Sequence, residues 1–125
     1  MASLSYNLTG SMNAALGAWS LGLNTFGQKN ASLGYYSLYN NTIGNYNTAI
    51  GVYALRQNVL GNRNTANGYN AGRYIANGST SNANPTDSVY LGADTKALAD
   101  SGTNEIVIGT DTVGNGSNTV TLGNT

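Results

Sequence analysis

Apolar residues return to the same places every 17 positions through the first part of the chain. One column holds Leu16, Leu33 and Ile50, a second Leu4, Leu21, Leu38 and Leu55, and a third Phe26, Ile43 and Leu60. Glycines keep the same spacing, with Gly17, Gly34, Gly51 and Gly68 in one column and Gly10, Gly27, Gly44, Gly61 and Gly78 in another. A short fixed period implies stacked rungs, each burying side chains on its neighbours. In the clearest copy, 47–61, Thr48-Ala49-Ile50 before Gly51 predicts a short strand. The segment 52–58 fits a second strand or a single helical turn; strand is favoured, because so short a rung with several corners leaves little room for a helix. The glycine columns mark corners that need positive φ or close approach. Two asparagine columns, Asn13, Asn30, Asn47, Asn64 and Asn24, Asn41, Asn58, suit left-handed corners and amide ladders between rungs.

The pattern weakens in the copy that starts at Asn64, where Asn67, Gly72 and Asn77 stand in the three apolar columns. That copy reads either as a regular rung or as a transition between two kinds of roll. From Gly78 to Thr86 nothing larger than alanine is apolar, and Pro85 limits sheet pairing, so a loop is expected. A second repeat follows, in which Val89/Leu91, Ile106/Ile108 and Val120/Leu122 alternate with period two and end at Gly92, Gly109 and Gly123. Such alternation predicts half-buried strands. The expected fold is all-β, a parallel β-solenoid or β-roll of stacked short strands. Residues 1–78 form 17-residue repeats, 79–86 a transition, and 87–125 further rungs. The repeat is already running at residue 2, which reads as a segment of something longer.

Composition narrows the chemistry. Only 8% of residues are charged and the formal net charge is +0, yet the charges are segregated. Lys29, Arg56, Arg63 and Arg73 precede every acid, whereas Asp87, Asp94, Asp100, Glu105 and Asp111 come later with Lys96. This polarity either orients neighbouring subunits or attracts an anionic glycan, or is scattered solubilising charge. The absence of Cys and His removes disulfides, thiolate zinc sites and the usual nucleophilic triads, and no phosphate-binding glycine motif occurs; neither enzyme activity nor a cofactor is expected. No signal peptide is recognisable, and no apolar run reaches the length of a membrane span, so membrane insertion is not expected. A rung carries too few large apolar side chains to offset the ordering of its backbone, which implies burial against other chains in a symmetric bundle of undetermined order.

Candidate binding residues lie at fixed offsets. Trp19, Tyr36 and Tyr53 share a column, with Tyr35 and Tyr69 in the column before it; Tyr39, Arg56 and Arg73 share another. Lys29, Tyr46 and Arg63 form a third. An aromatic and basic ladder suits stacking on sugars and contact with an anionic polysaccharide, or is a packing ladder and solvated surface. With so few cations, nucleic acid is not an expected partner. Asp94 and Asp111, 17 apart, are weighed as a cation site or an acid pair against two solvated acids; no metal site is assigned.

The copies of Asn-x-Ala-Ile/Leu-Gly-x-x-Ala/Ser-Leu-x-x-Asn-x-x-Gly resemble repeats of bacteriophage tail fibres and tailspikes. The later Asn-x-Val-x-Leu-Gly copies are similar to head repeats of trimeric autotransporter adhesins, and the closing Asn118–Thr125 stretch is similar to the end of the repeat zone in such fibres. The resemblance implies a left-handed parallel β-roll shared by three chains. It also implies a homotrimeric fibre on a virion tail, or alternatively on a bacterial surface, that meets a host polysaccharide or protein receptor. A purely architectural virion decoration protein is a further alternative.

Overall fold

The computed structural model describes residues 2–123. Met1 and the last two residues of the closing motif, Asn124 and Thr125, lie outside the described residues. Within them seven short strands form a single parallel sheet in chain order: β1 (Ala14–Leu16), β2 (Ala31–Leu33), β3 (Thr48–Ile50), β4 (Thr65–Asn67), β5 (Val89–Leu91), β6 (Glu105–Ile108) and β7 (Thr119–Leu122). Strands that are parallel and consecutive require a full turn of chain between them, so the sheet is one wall of a β-solenoid of about six turns. The register follows the repeat: Leu16 pairs with Leu33, and Leu33 with Ile50. The copy that starts at Asn64 contributes a regular strand, with Thr65 paired to Thr48 on one side and to Val89 on the other. The sheet therefore runs unbroken through the change of repeat. The longer step from β4 to β5 is taken up by an excursion in which Tyr74 and Ser81 form an antiparallel bridge and Ile75 bridges Ala97.

Two columns of glycine serve two different needs. Gly51 has φ +127° and lies against the next rung, where an added Cβ would stand 2.5 Å from the Gly68 carbonyl oxygen. Gly17, Gly34, Gly68, Gly92 and Gly109 share that positive φ. Gly44 does not; it is excluded from carrying a side chain by the Asn41 amide oxygen and the Gly61 carbonyl, 2.3 and 2.4 Å from its ideal Cβ. Gly123, at the last strand, meets nothing within 4 Å.

The segment 52–58 is neither strand nor helix. It is a run of tight turns, with Ala54 N donating to Gly51 O (3.2 Å), Arg56 N to Tyr53 O (3.1 Å) and Asn58 N to Leu55 O (3.0 Å). Tyr53 and Leu55 take left-handed φ of 62° and 46°, as do their equivalents Trp19, Tyr36, Leu21 and Leu38. Left-handed backbone is costly for such residues. It is held here by bonds between rungs, such as Tyr53 N to Tyr35 O and Leu55 N to Ala71 O. The asparagines of these two columns are not left-handed; beside Asn30, Asn47 and Asn64 that role falls one position earlier, at Lys29, Tyr46 and Arg63 (φ 55–57°).

The asparagines instead form the expected ladders. Asn24, Asn41 and Asn58 each donate Nδ2 to the Oδ1 of the asparagine one rung before (2.7–2.8 Å). In the second column the amide oxygens of Asn13, Asn30 and Asn47 accept from the next asparagine's backbone N–H (2.9–3.0 Å). These buried amides are thereby satisfied rung by rung, as burial demands, except at the end of the first column, where Asn58 Oδ1 is buried without a partner.

Of the three apolar columns only one is internal. Leu21, Leu38 and Leu55 are fully buried, together with Ala49, Ala66, Tyr90 and Val107 from the strand centres. Leu16, Leu33 and Ile50 are exposed, as are Phe26, Ile43 and Leu60. The second repeat shows the same inversion: Tyr90, Val107 and Thr121 point inward, whereas Ile108, Val120 and Leu122 are exposed. The interior of so tight a coil accepts one side chain from each short strand, and in the first repeat that residue is Ala or Ser. The branched aliphatic residues that flank it must then lie outside.

Candidate functional site

The turns that follow each corner glycine set the aromatic ladder. Bonds from Tyr36 N to Ala18 O and from Tyr53 N to Tyr35 O, both 3.0 Å, fix these turns in register. The left-handed backbone at Trp19, Tyr36 and Tyr53 projects their side chains in one column. Trp19 and Tyr36 stack with centroids 6.1 Å apart and planes 22° apart, and Tyr36 and Tyr53 follow at 6.1 Å and 38°. Tyr39 meets Tyr36 edge-on at 4.7 Å. It fits because Gly22, one rung before it, has no side chain; a Cβ there would lie 2.7 Å from the Tyr39 ring. Tyr35 and Tyr69 flank Tyr53 edge-on at 5.7 and 6.2 Å.

The two arginines close over this ladder. Arg56 Cζ lies 5.1 Å from the Tyr36 centroid, 5.5 Å from Tyr53 and 5.9 Å from Tyr39. Arg73 Cζ lies 4.6 Å from Tyr53 and 4.5 Å from Tyr74. Both guanidinium groups thus rest on Tyr53, at cation–π distance. Their Nε atoms are buried and make no hydrogen bond. Arg73 Nη1 donates to Asn70 Oδ1 (2.9 Å). Burial, with the Arg56 charge acting in the same direction, holds the Arg73 pKa below the ordinary guanidinium value.

All six residues singled out from the sequence (Trp19, Tyr36, Tyr53, Tyr39, Arg56 and Arg73) therefore meet in one cluster. Tyr74 belongs to it as well. Tyr74 falls in none of the aromatic columns, since it stands where the period breaks. The ladder differs from a simple stacking platform. Trp19 and Tyr36 stack on one another, Tyr53 follows tilted by 38°, and the faces of Tyr36 and Tyr53 lie under guanidinium groups. Ring edges, phenol hydroxyls and the outer guanidinium nitrogens are what remain for a ligand.

The other candidates have local partners. Lys29 Nζ donates to the Tyr46 hydroxyl (3.0 Å). Arg63 forms a two-pronged pair with Asp87, its Nη2 2.9 Å from Oδ2, which joins the basic first part of the chain to the acidic second part. This bond holds the Asp87 pKa below the ordinary carboxylate value. Asp94 accepts from Asn70 Nδ2 (2.9 Å), whereas Asp111 pairs with Lys96. These two acids are thus engaged with different partners rather than with a shared ligand. Among the described residues no group of three or more acidic, His or Cys side chains is placed to hold a metal ion, and no helix is long and apolar enough to cross a membrane.

The outer face of the sheet is a separate feature. Leu16, Leu33 and Ile50, with Ala14, Ala31 and Thr48, line an open apolar groove of about 320 Å³. Exposure runs from 69% at Leu16 to 40% at Ile50; Asn67 interrupts the row on β4, and exposed apolar residues return at Ile108 and Leu122. Contiguous apolar surface of this kind marks an interaction face. No family model, curated protein or solved structure matches the chain.

Proposed function

We propose that this chain is a structural and host-binding segment of a trimeric phage tail fibre or tailspike. Three copies form a stiff rod on the virion tail, and the rod presents one repeated surface to host cell-surface glycans. The observation that carries this reading is the outward repetition of chemistry: the aromatic and basic ladder and the apolar sheet face each recur at the interval of one rung. The apolar face supports the trimer. An exposed row of Leu and Ile on a parallel sheet calls for cover, and three identical chains around an axis supply it through head-to-tail contacts that close into a ring. The ladder supports glycan contact, because phenol hydroxyls and guanidinium groups match the hydroxyl-rich edges of sugars. Three copies on one rod bind by avidity, so that no single site need be tight. The resemblance of the repeats to those of phage fibres points the same way.

The test is binding of the labelled chain to intact bacterial cells and to their purified surface polysaccharides. Binding that disappears when the polysaccharide is stripped is expected. Failure to bind any cell or polysaccharide would leave an architectural role alone and overturn the display reading.

A further inference from the structure

Two ion pairs form among the described residues, and the other charged groups meet neutral partners or aromatic rings. Arg63 holds Asp87 and Lys96 holds Asp111. Asp94 takes the Asn70 amide, and Asp100 accepts from the backbone N–H groups of Ala83 and Asn84 (2.8 Å each). Glu105 is buried and accepts from the backbone of Leu98 and Gly116 (3.1 and 2.8 Å). Lys29 meets the Tyr46 hydroxyl. Arg56 and Arg73 are two like charges in successive rungs, 5.5 and 4.6 Å from the centroid of one ring, with no acid bonded to either. Arg73 Nη1 is given to Asn70, which leaves its Nη2 and both outer nitrogens of Arg56.

That arrangement is unfavourable by itself. The aromatic faces desolvate both cations and cover their Nε atoms, and the two charges repel. Tyr rings compensate in part through cation–π attraction. An anion held by the outer guanidinium nitrogens of both residues removes the repulsion and supplies charge-assisted hydrogen bonds. The guanidinium fork matches a carboxylate, sulfate or phosphate group, whose oxygens accept two parallel N–H bonds. The rings of Tyr36, Tyr39 and Tyr53 lie 5.1–5.9 Å from Arg56 Cζ, so their phenols are the polar groups nearest at hand for the rest of a sugar.

We propose that Arg56 and Arg73 together form an anion seat, so that the glycan recognised by this ladder is an acidic one, with its carboxylate or ester anion bound between the two guanidinium groups. This rests on the glycan-display reading above and specifies its ligand. A polynucleotide is disfavoured because a phosphate backbone needs a longer run of cations than two.

The experiment compares the whole chain with an Arg56→Gln/Arg73→Gln variant and with a charge-matched Lys29→Gln/Arg63→Gln control. Circular dichroism establishes that each is folded, and single Arg56→Lys and Arg73→Lys variants replace the double variant should it not fold. The probes are polygalacturonate for carboxylates, dextran sulfate for ester anions, neutral dextran, and single-stranded DNA. Expected is binding to one or both acidic polymers that falls about tenfold or more in the Arg56/Arg73 variant, the loss of a charge-assisted bond, and stays within about threefold in the control. The two acidic probes tell carboxylate from ester anion. Equal loss in the control, or equal binding of neutral dextran, would overturn the anion seat while leaving glycan display standing. Binding of DNA in preference to both polymers would overturn it in favour of nucleic acid. If the Arg56/Arg73 variant instead changes the oligomeric mass and leaves polymer binding unaltered, the seat belongs to a subunit contact and the proposal fails. Absence of binding to every polymer would count against the display reading itself.

Discussion

Tyr90 occupies the volume in which Gly72 would carry a side chain. An ideal Cβ on Gly72 would lie 2.5 Å from Tyr90 Cδ2 and 2.8 Å from Cγ. Gly72 stands in the column of the buried Leu21, Leu38 and Leu55, and Tyr90 in that of Ala49 and Ala66. Where the repeat changes, the bulk of the core passes from the turn to the strand. Gly72→Leu, which restores the repeat by sequence, is therefore expected to destabilise the fold by about 1–3 kcal/mol through overpacking. Adding Tyr90→Ala should recover part of that loss. Urea unfolding of the two single variants and the double variant gives the coupling, and strictly additive effects would show that the two positions do not share space.

The asparagine ladder should be weakest at its end. Asn41 donates to Asn24 Oδ1 and accepts from Asn58 Nδ2, all fully buried. Asn41→Ala removes a partner from each, at about 1–3 kcal/mol per orphaned group. Asn7, half exposed at the first rung, serves only Asn24 in the same column. Asn7→Ala is expected to cost clearly less. Equal shifts in thermal midpoint for the two variants would contradict the ladder as a source of stability.

Tyr90 also predicts a response to alkali. Burial pushes its pKa from the ordinary 10.0 up to about 12, although the amide of Asn82, 3.2 Å from the hydroxyl, acts the other way. The folded state thus keeps the phenol protonated when the unfolded state has lost it. The contribution is complete below pH 10 and is lost as pH rises from 10 through 12; a shift of this size corresponds to about 2–3 kcal/mol. Tyr90→Phe should lose less stability across that window than the parent chain. Parallel curves for the two would rule out Tyr90 as the responsible group.

The repeat made the stacking legible. Fixed spacing places Leu33 beside Ile50 and lines up Trp19, Tyr36 and Tyr53 in one column and Tyr39, Arg56 and Arg73 in another, because residues one period apart must lie on adjacent rungs. That the two columns meet is not legible in the spacing. What the spacing could not fix was direction. Leu16, Leu33 and Ile50 carry the same apolar signal as Leu21, Leu38 and Leu55, yet only the latter are internal, since the coil is too narrow for both. The alternation of Ile106 and Ile108 likewise marks a half-buried strand without telling which face is inside; Glu105 and Val107 are the inward residues. The turn at Tyr53 and Leu55 escaped for another reason: left-handed Tyr and Leu run against local preference and are held by hydrogen bonds to the rungs on either side.

The mass in solution tests the proposed assembly most directly. Leu33 and Ile50 are exposed on a single chain, so Leu33→Ser/Ile50→Ser should change the stability of an isolated chain little, within about 0.5 kcal/mol per site. If three chains cover one another through this face, light scattering of the parent protein will give three times the 12.9 kDa of one chain, and the double serine variant will give a smaller, still folded species. A parent protein that remains a monodisperse, soluble monomer would contradict the trimeric fibre.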